Sequence, residues 1–127
     1  ISSGCGQRGL PRISAYCASK FALNAITECV RVELSGSGIK VLSFIPGSVA
    51  TNIYKNTKTF GPNASQLIEV KGVSPKAIAE KIFRASQRNT RLTRVSIKTS
   101  IAYHLNYWAP KLCDFVLKHT MPTRSKK

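Results

Sequence analysis

The sequence is short of acids. Its 127 residues hold 5 Asp plus Glu against 20 Lys plus Arg, a formal net charge of +15. Such a balance fits an anionic partner (nucleic acid, lipid headgroups or phosphate) and equally a well-solvated basic surface. The bias is uneven: from Lys81 to Lys127 eleven bases stand against one acid, Asp114. The bases are not interleaved with a recognised nucleic-acid motif, which disfavours a nucleic-acid module. No apolar run approaches the ~18 residues of a membrane-crossing helix. The four cysteines, Cys5, Cys17, Cys29 and Cys113, form no Cys-x-x-Cys pair, and His104 and His119 lie far from three of them. Zinc-ligand spacing is therefore lacking and no metal is expected. Free thiols are expected, with Cys17 and Cys29 as small buried apolar groups. The first residue is Ile1 and the single methionine is Met121, with no charged-then-apolar leader at the start, so a piece of a longer chain is expected.

What the chain does have is core material and rhythm. Hydrophobic residues make up 43% of it, too many for a disordered chain. Residues 1–12 read as a loop broken by Gly4, Gly6, Gly9 and Pro11. A long helix is expected from Ser14, as N-cap, to Leu34, with Ala18, Phe21, Ala22, Ala25, Ile26, Cys29, Val30 and Val32 on a wide apolar face. Ser35-Gly36-Ser37-Gly38 ends it. Ile39 to Ile45 reads as a buried parallel-type strand stopped by Pro46-Gly47. A second helix is expected to run from Pro75, capped by Ser74, to Gln87, burying Ile78, Ala79, Ile82, Phe83 and Ala85. Thr93 to Thr99 alternates and reads as a strand. Ser100 to His119 is apolar and aromatic, broken by Pro110, with Leu112, Phe115, Val116 and His119 on one helical face and Tyr103, His104, Tyr107 and Trp108 as an aromatic cluster favouring core packing. Loop, helix, strand, loop, helix, strand is the order of an α/β protein with a parallel sheet.

The chemistry is carried by Tyr16-x-x-x-Lys20, with Ser3 thirteen residues before the tyrosine. Residues four apart on a helix lie one above the other. An ammonium beside a phenol favours phenolate, the tuning that a general acid–base requires of a group whose ordinary pKa is near ~10. A serine hydroxyl in the loop leading to that helix could hold a substrate oxygen. Taken alone, Tyr-x-x-x-Lys is weak, because most such pairs are structural.

The surrounding words change its weight. ISSGCGQRGLPRISAYCASKFALNAITECVRVEL, followed by a strand and IPGSVATNI, resembles the C-terminal half of the short-chain dehydrogenase/reductase family, densely over Ile1 to Ile53 and more weakly beyond. The resemblance implies the C-terminal half of a doubly wound Rossmann-type parallel sheet, incomplete in this chain. It implies a hydride-transferring oxidoreductase using NADP or NAD on an alcohol or carbonyl of a small lipophilic substrate. Tyr16 would be proton donor and acceptor. Lys20 would tune it and hold the nicotinamide ribose. Ser3 would hold the substrate oxygen; Ser2 is adjacent, but the offset favours Ser3. Pro46, Gly47, Val49 and Thr51 would meet the cofactor. Residues 1–53 would then be the active-site loop, helix and strand, and 54–74 the substrate loop, with Tyr54, Phe60 and Leu67 as pocket walls. Residues 75–127 would be the last helix, strand and C-terminal extension.

The family's glycine-rich turn, its NAD-or-NADP-selecting residue, its Asn-Ala-Gly stretch and its catalytic Asn are not in these 127 residues. Alone, the stretch is expected not to turn over substrate. Aromatic and basic residues from Ile101 onward suit a membrane surface, as in the family's steroid- and retinoid-converting branch of the endoplasmic reticulum; a cytoplasmic site is the alternative. The wide face of the Tyr16 helix fits the homodimer common in the family. The rival readings are an inactive scaffold and a basic membrane- or partner-binding module.

Overall fold

The computed structural model describes residues 1–53, 72–88 and 90–121. A one-turn 3-10 helix (Gly4–Gly6) precedes α1 (Ser14–Glu33), β1 (Ser43–Ile45), α2 (Pro75–Gln87), β2 (Leu92–Arg94), α3 (Ile97–Trp108) and α4 (Pro110–Thr120). β1 and β2 pair in parallel, Phe44 opposite Thr93, so β1-α2-β2 is a crossover unit of the Rossmann type. Residues before the 3-10 turn extend this sheet, since the Ser2 N–H donates to the Phe44 carbonyl at 2.9 Å. The fold is α/β, a partial Rossmann-type layer arrangement.

The core lies under α2. Phe44, Ile78 and Ala85 are buried together, with Leu42, Val49, Ile82 and Val95 packed against them. α2 turns Ile78, Ile82 and Ala85 inward at helical spacing, whereas Ala79 and Phe83, expected on the same face, are exposed. Its start matches the sequence signal: the Ser74 hydroxyl accepts from the Ala77 N–H at 3.3 Å, with Pro75 next. α1 starts differently. Ile13 is its N-cap and makes no side-chain cap bond, so Ser14 is the first helical residue instead of the cap. Arg12, at φ 71°, turns the chain just before it.

The strands are shorter than expected. Residues 39–42 have no rung beside them, because β2 begins only at Leu92; Arg31 of α1 instead donates its Nε to the Val41 carbonyl at 3.0 Å and Nη2 to the Arg91 carbonyl at 3.1 Å. The expected strand Thr93–Thr99 stops at Arg94. β1 ends at Ile45, Pro46 offers no N–H, and Gly47 bends away at φ 74°. After the Val95 N–H reaches the Ile45 carbonyl at 3.0 Å, residues 97–99 have no strand to pair with and open α3 instead.

Candidate active site at the strand ends

Ser3 stands where the segment beside β1 gives way to the 3-10 turn, and its hydroxyl accepts from the Cys5 N–H at 3.2 Å. Gly6 lets this turn lie flat on α1. A Cβ there would sit 2.7 Å from the Lys20 carbonyl oxygen and 2.7 Å from Asn24 Nδ2. Asn24 Nδ2 donates to the Gly6 carbonyl at 2.9 Å. Asn24 was not singled out by the sequence; its only signal is its place one turn beyond Lys20.

Tyr16 and Lys20 share one side of α1. The Lys20 ammonium lies 5.6 Å from the centre of the Tyr16 ring and reaches the Ile1 carbonyl at 3.5 Å. It thus touches both the tyrosine and the backbone two residues before Ser3. Tyr16 is 39% exposed, so its ring opens to the surface beside the turn. The helix is set there by Cys17, buried directly after the tyrosine, whose sulfur accepts from the Leu10 N–H at 3.3 Å.

The Pro46–Thr51 segment leaves the same end of the sheet. Ser2 and Phe44 share a hydrogen bond, so Ser3 and Pro46 lie one and two residues past a common rung. Val49 forms a parallel bridge with Val73, flanked by hydrogen bonds from Ala50 N–H to the Val73 carbonyl and from Val73 N–H to the Ser48 carbonyl, both 3.0 Å. Gly72 fits beneath it: a Cβ there would sit 2.6 Å from the Ala50 nitrogen. Thr51 is exposed. Open α/β sheets bind ligands in the crevice outside the ends of their strands, which is where these residues stand. Tyr54, Phe60 and Leu67 lie outside the described residues.

The family model for short chain dehydrogenase matches residues 1–60. A dehydrogenase/reductase SDR family protein 7-like of Drosophila melanogaster is 31% identical over 121 residues, 92% of this chain and 37% of its own length. Dehydrogenase/reductase SDR family member 7B of Xenopus laevis is 30% identical over 130 aligned positions, 99% of this chain and 40% of its own. The Bos taurus protein of that name is 32% identical over 116. This chain belongs to the short-chain dehydrogenase/reductase family. It spans about two-fifths of the length of these curated relatives.

Within this short-chain dehydrogenase/reductase chain several expected burials are reversed. Phe21 and Ile26 of α1 are exposed, as are Ala18, Ala22, Ala25 and Cys29. The covered side of α1 is Cys17, Lys20, Leu23, Asn24, Thr27, Val30 and Arg31, a mixed strip in which Asn24 and Arg31 meet the turn and the strand entrance through hydrogen bonds while Val30, alone of the expected apolar face, is half-buried. Cys29 is therefore not a buried apolar group; all four cysteines are free thiols. Tyr107 and Trp108 meet edge to face at 5.3 Å but both are exposed, so the aromatic cluster is not core. On α4, Leu112, Phe115 and Val116 face outward, while Cys113 and Leu117 are half-buried. Among the described residues no group of His, Cys, Asp and Glu is arranged to hold a metal, and no helix is long and apolar enough to cross a membrane.

Proposed function

We propose that this chain carries the acid–base half of a nicotinamide-dependent oxidoreductase acting on a hydroxyl or carbonyl of a small lipophilic substrate. The observation that carries the reading is the Lys20 ammonium beside the Tyr16 ring on one side of α1 while it also contacts the backbone segment leading to Ser3. Ser3 would hold the substrate oxygen. Tyr16 would give that oxygen its proton in reduction and take it back in oxidation, and Lys20 supplies positive charge where the phenol would otherwise carry an unbalanced negative one.

The donor set fits the nicotinamide portion of NADP or NAD. The Tyr16 phenol and the Lys20 ammonium on α1, and the Thr51 hydroxyl beyond β1, are partly or wholly open to solvent, and Gly47 takes a positive φ that keeps the chain low beside Ser96. Pro46, Gly47, Val49 and Thr51 would line it, with Lys20 on the ribose. Bound there, the cofactor supplies the hydride. None of these residues forms the glycine-rich cradle of a pyrophosphate, so the 127 residues alone should not turn over substrate. In this reading residues 1–53 are the catalytic part and 54–74 the substrate loop, including Tyr54 and Phe60; 75–127 complete the sheet and add the C-terminal helices.

The partners follow from what is exposed. Phe21 and Ile26 on α1 support a homodimer through that helix. Ile101, Trp108, Leu112 and Phe115 beside Lys98, Lys111 and Lys118 support contact with a membrane surface, and with it a place at the endoplasmic reticulum. Cosedimentation with anionic vesicles, weakened by salt and by Trp108→Ser, checks the membrane part.

The central test is Tyr16→Phe in the full-length protein. Turnover of NADPH with an aldehyde should fall by roughly 10²-fold or more, the usual scale for losing a general acid. Cofactor binding, followed by nicotinamide fluorescence, should stay near normal. A variant that keeps its rate refutes the role given to Tyr16.

A further inference from the structure

The loop between Ser3 and Tyr16 is gripped from outside. Arg8 is its anchor: Nη1 donates to Asn106 of α3, and Nη2 donates to and ion-pairs with Asp114 of α4. Asp114 is the one acid among the eleven bases of the C-terminal stretch, so its charge has a specific partner. On the neighbouring residue, Gln7, Oε1 accepts from Arg94 Nε at 3.1 Å, and the Arg94 guanidinium lies 4.4 Å over the Tyr103 ring of α3. Two successive side chains of the loop are thus held by β2, α3 and α4.

The grip passes directly to Ser3. The Arg8 and Gln7 N–H groups both reach the Gly4 carbonyl, at 3.2 and 2.9 Å, and the Gly6 N–H reaches the Ser3 carbonyl at 3.0 Å. The Ser3 hydroxyl is tied into the same turn through the Cys5 N–H. The short 3-10 turn Gly4–Gly6, with Ser3 and Gln7 as its caps, therefore links Ser3 to Arg8, and such turns have few bonds of their own to resist fraying. A hollow of about 410 Å³, lined by Arg8–Pro11, Asp114, Leu117 and Lys118, leaves the loop room to shift once released.

We propose that Arg8 is a positioning residue: with Asn106 and Asp114 it couples the C-terminal helices to the placement of Ser3. Its consequence for rate rests on the oxidoreductase reading above; the tether itself does not. An arginine suits the task because its planar fork serves two acceptors on two helices at once, which a lysine ammonium on a flexible stem does not. The Asp114 carboxylate is exposed, so the pair adds little to global stability. No residue of α3 or α4 is fully buried, so cutting the tether frees the turn without opening the core.

The test uses the full-length protein with Arg8→Lys, Asp114→Asn and Asp114→Glu. The first readout is amide hydrogen exchange, which needs no substrate. Exchange at Cys5 to Arg8 should speed up by roughly tenfold or more in Arg8→Lys and Asp114→Asn, stay slow in Asp114→Glu, and leave α2 unchanged. Unchanged exchange at the turn in both of the first two variants overturns the tether. The second readout is NADPH oxidation with decanal. kcat should drop about tenfold or more, as for a misplaced catalytic group, while KM for NADPH moves less than about twofold. A turn that exchanges faster at unaltered kcat overturns the positioning role. Should Tyr16→Phe retain full rate, the oxidoreductase reading fails, and the exchange result still decides the tether.

Discussion

α2 and the α3–α4 pair are held to the sheet by opposite means. α2 is attached by what it buries: Ile78 and Ala85 sit against Phe44 on the sheet, with Ile82 beside them. α3 and α4 bury no residue completely, and turn Ile97, Ile101, Trp108 and Phe115 outward. Their contacts with the rest include the fork of Arg8, the guanidinium of Arg94 over Tyr103, and the half-buried Thr99, Tyr103 and Asn106 facing the loop and β2. Apolar attachment resists small changes of geometry because close-packed side chains have nowhere to go. Polar tethers fix a direction but hold weakly when exposed. The same sequence thus builds a stiff half that sets the strand ends and an adjustable half that leans on the loop between Ser3 and Tyr16.

The largest effect should come from the stiff half. Phe44 is 2% exposed and belongs to the buried cluster with Ile78 and Ala85, so Phe44→Ala should cost about 3–5 kcal/mol of unfolding free energy, read from urea denaturation. A cost below about 1 kcal/mol would mean that the core lies elsewhere. Next in size is the cap of α2. Ser74→Ala removes the acceptor of the Ala77 N–H and should cost about 1 kcal/mol. The matching change in the adjustable half, Phe115→Ser, removes a larger side chain from α4 yet should alter stability by no more than about 0.5 kcal/mol, because that ring is 60% exposed. If Phe115→Ser proved as costly as Phe44→Ala, the two halves would not differ in the way described.

The same contrast explains which parts were legible in the residues alone. α2 was read to the residue at both ends because its signals are local: a serine cap, a proline in the first turn and an apolar stripe. The Tyr16–Lys20 placement was legible for the same reason, since four-residue spacing on a helix fixes it. Burial depended on partners far along the chain and was read less well. The apolar stripe of α1 invited burial, but the loop and strands that reach this helix cover a mixed strip of it, Cys17, Leu23 and Val30 with Lys20, Asn24 and Arg31, and leave Phe21 and Ile26 exposed. Thr93 to Thr99 alternates like a strand, and nothing in those seven residues reveals that the neighbouring strand runs out at Ile45. The Arg8 tether joins positions about a hundred residues apart, and no pattern near Arg8 announces it.

The finest test of the comparison lies in the turn where the two halves meet. Burial pushes the Cys5 thiol above its ordinary value of 9.0, against the opposing effect of the Ser3 hydroxyl, with Cys17 adding to the rise. A thiol whose folded pKa is raised favours folding only while it stays protonated in both states. Below the unfolded value it has no pH slope. Once pH climbs past about 9, the unfolded chain gives up the proton more readily, and stability declines until the folded thiol also titrates. Urea midpoints measured from pH 8 to pH 10.5 should therefore slope downward more steeply in the wild type than in Cys5→Ala. Releasing the turn with Asp114→Asn admits water to the thiol and should flatten the slope toward that of Cys5→Ala, whereas Phe115→Ser, on the outward face of the same helix, should leave it unaltered. An equal slope in wild type and Cys5→Ala would show that the thiol is already solvated, and the turn as loosely held as the outer faces of α3 and α4.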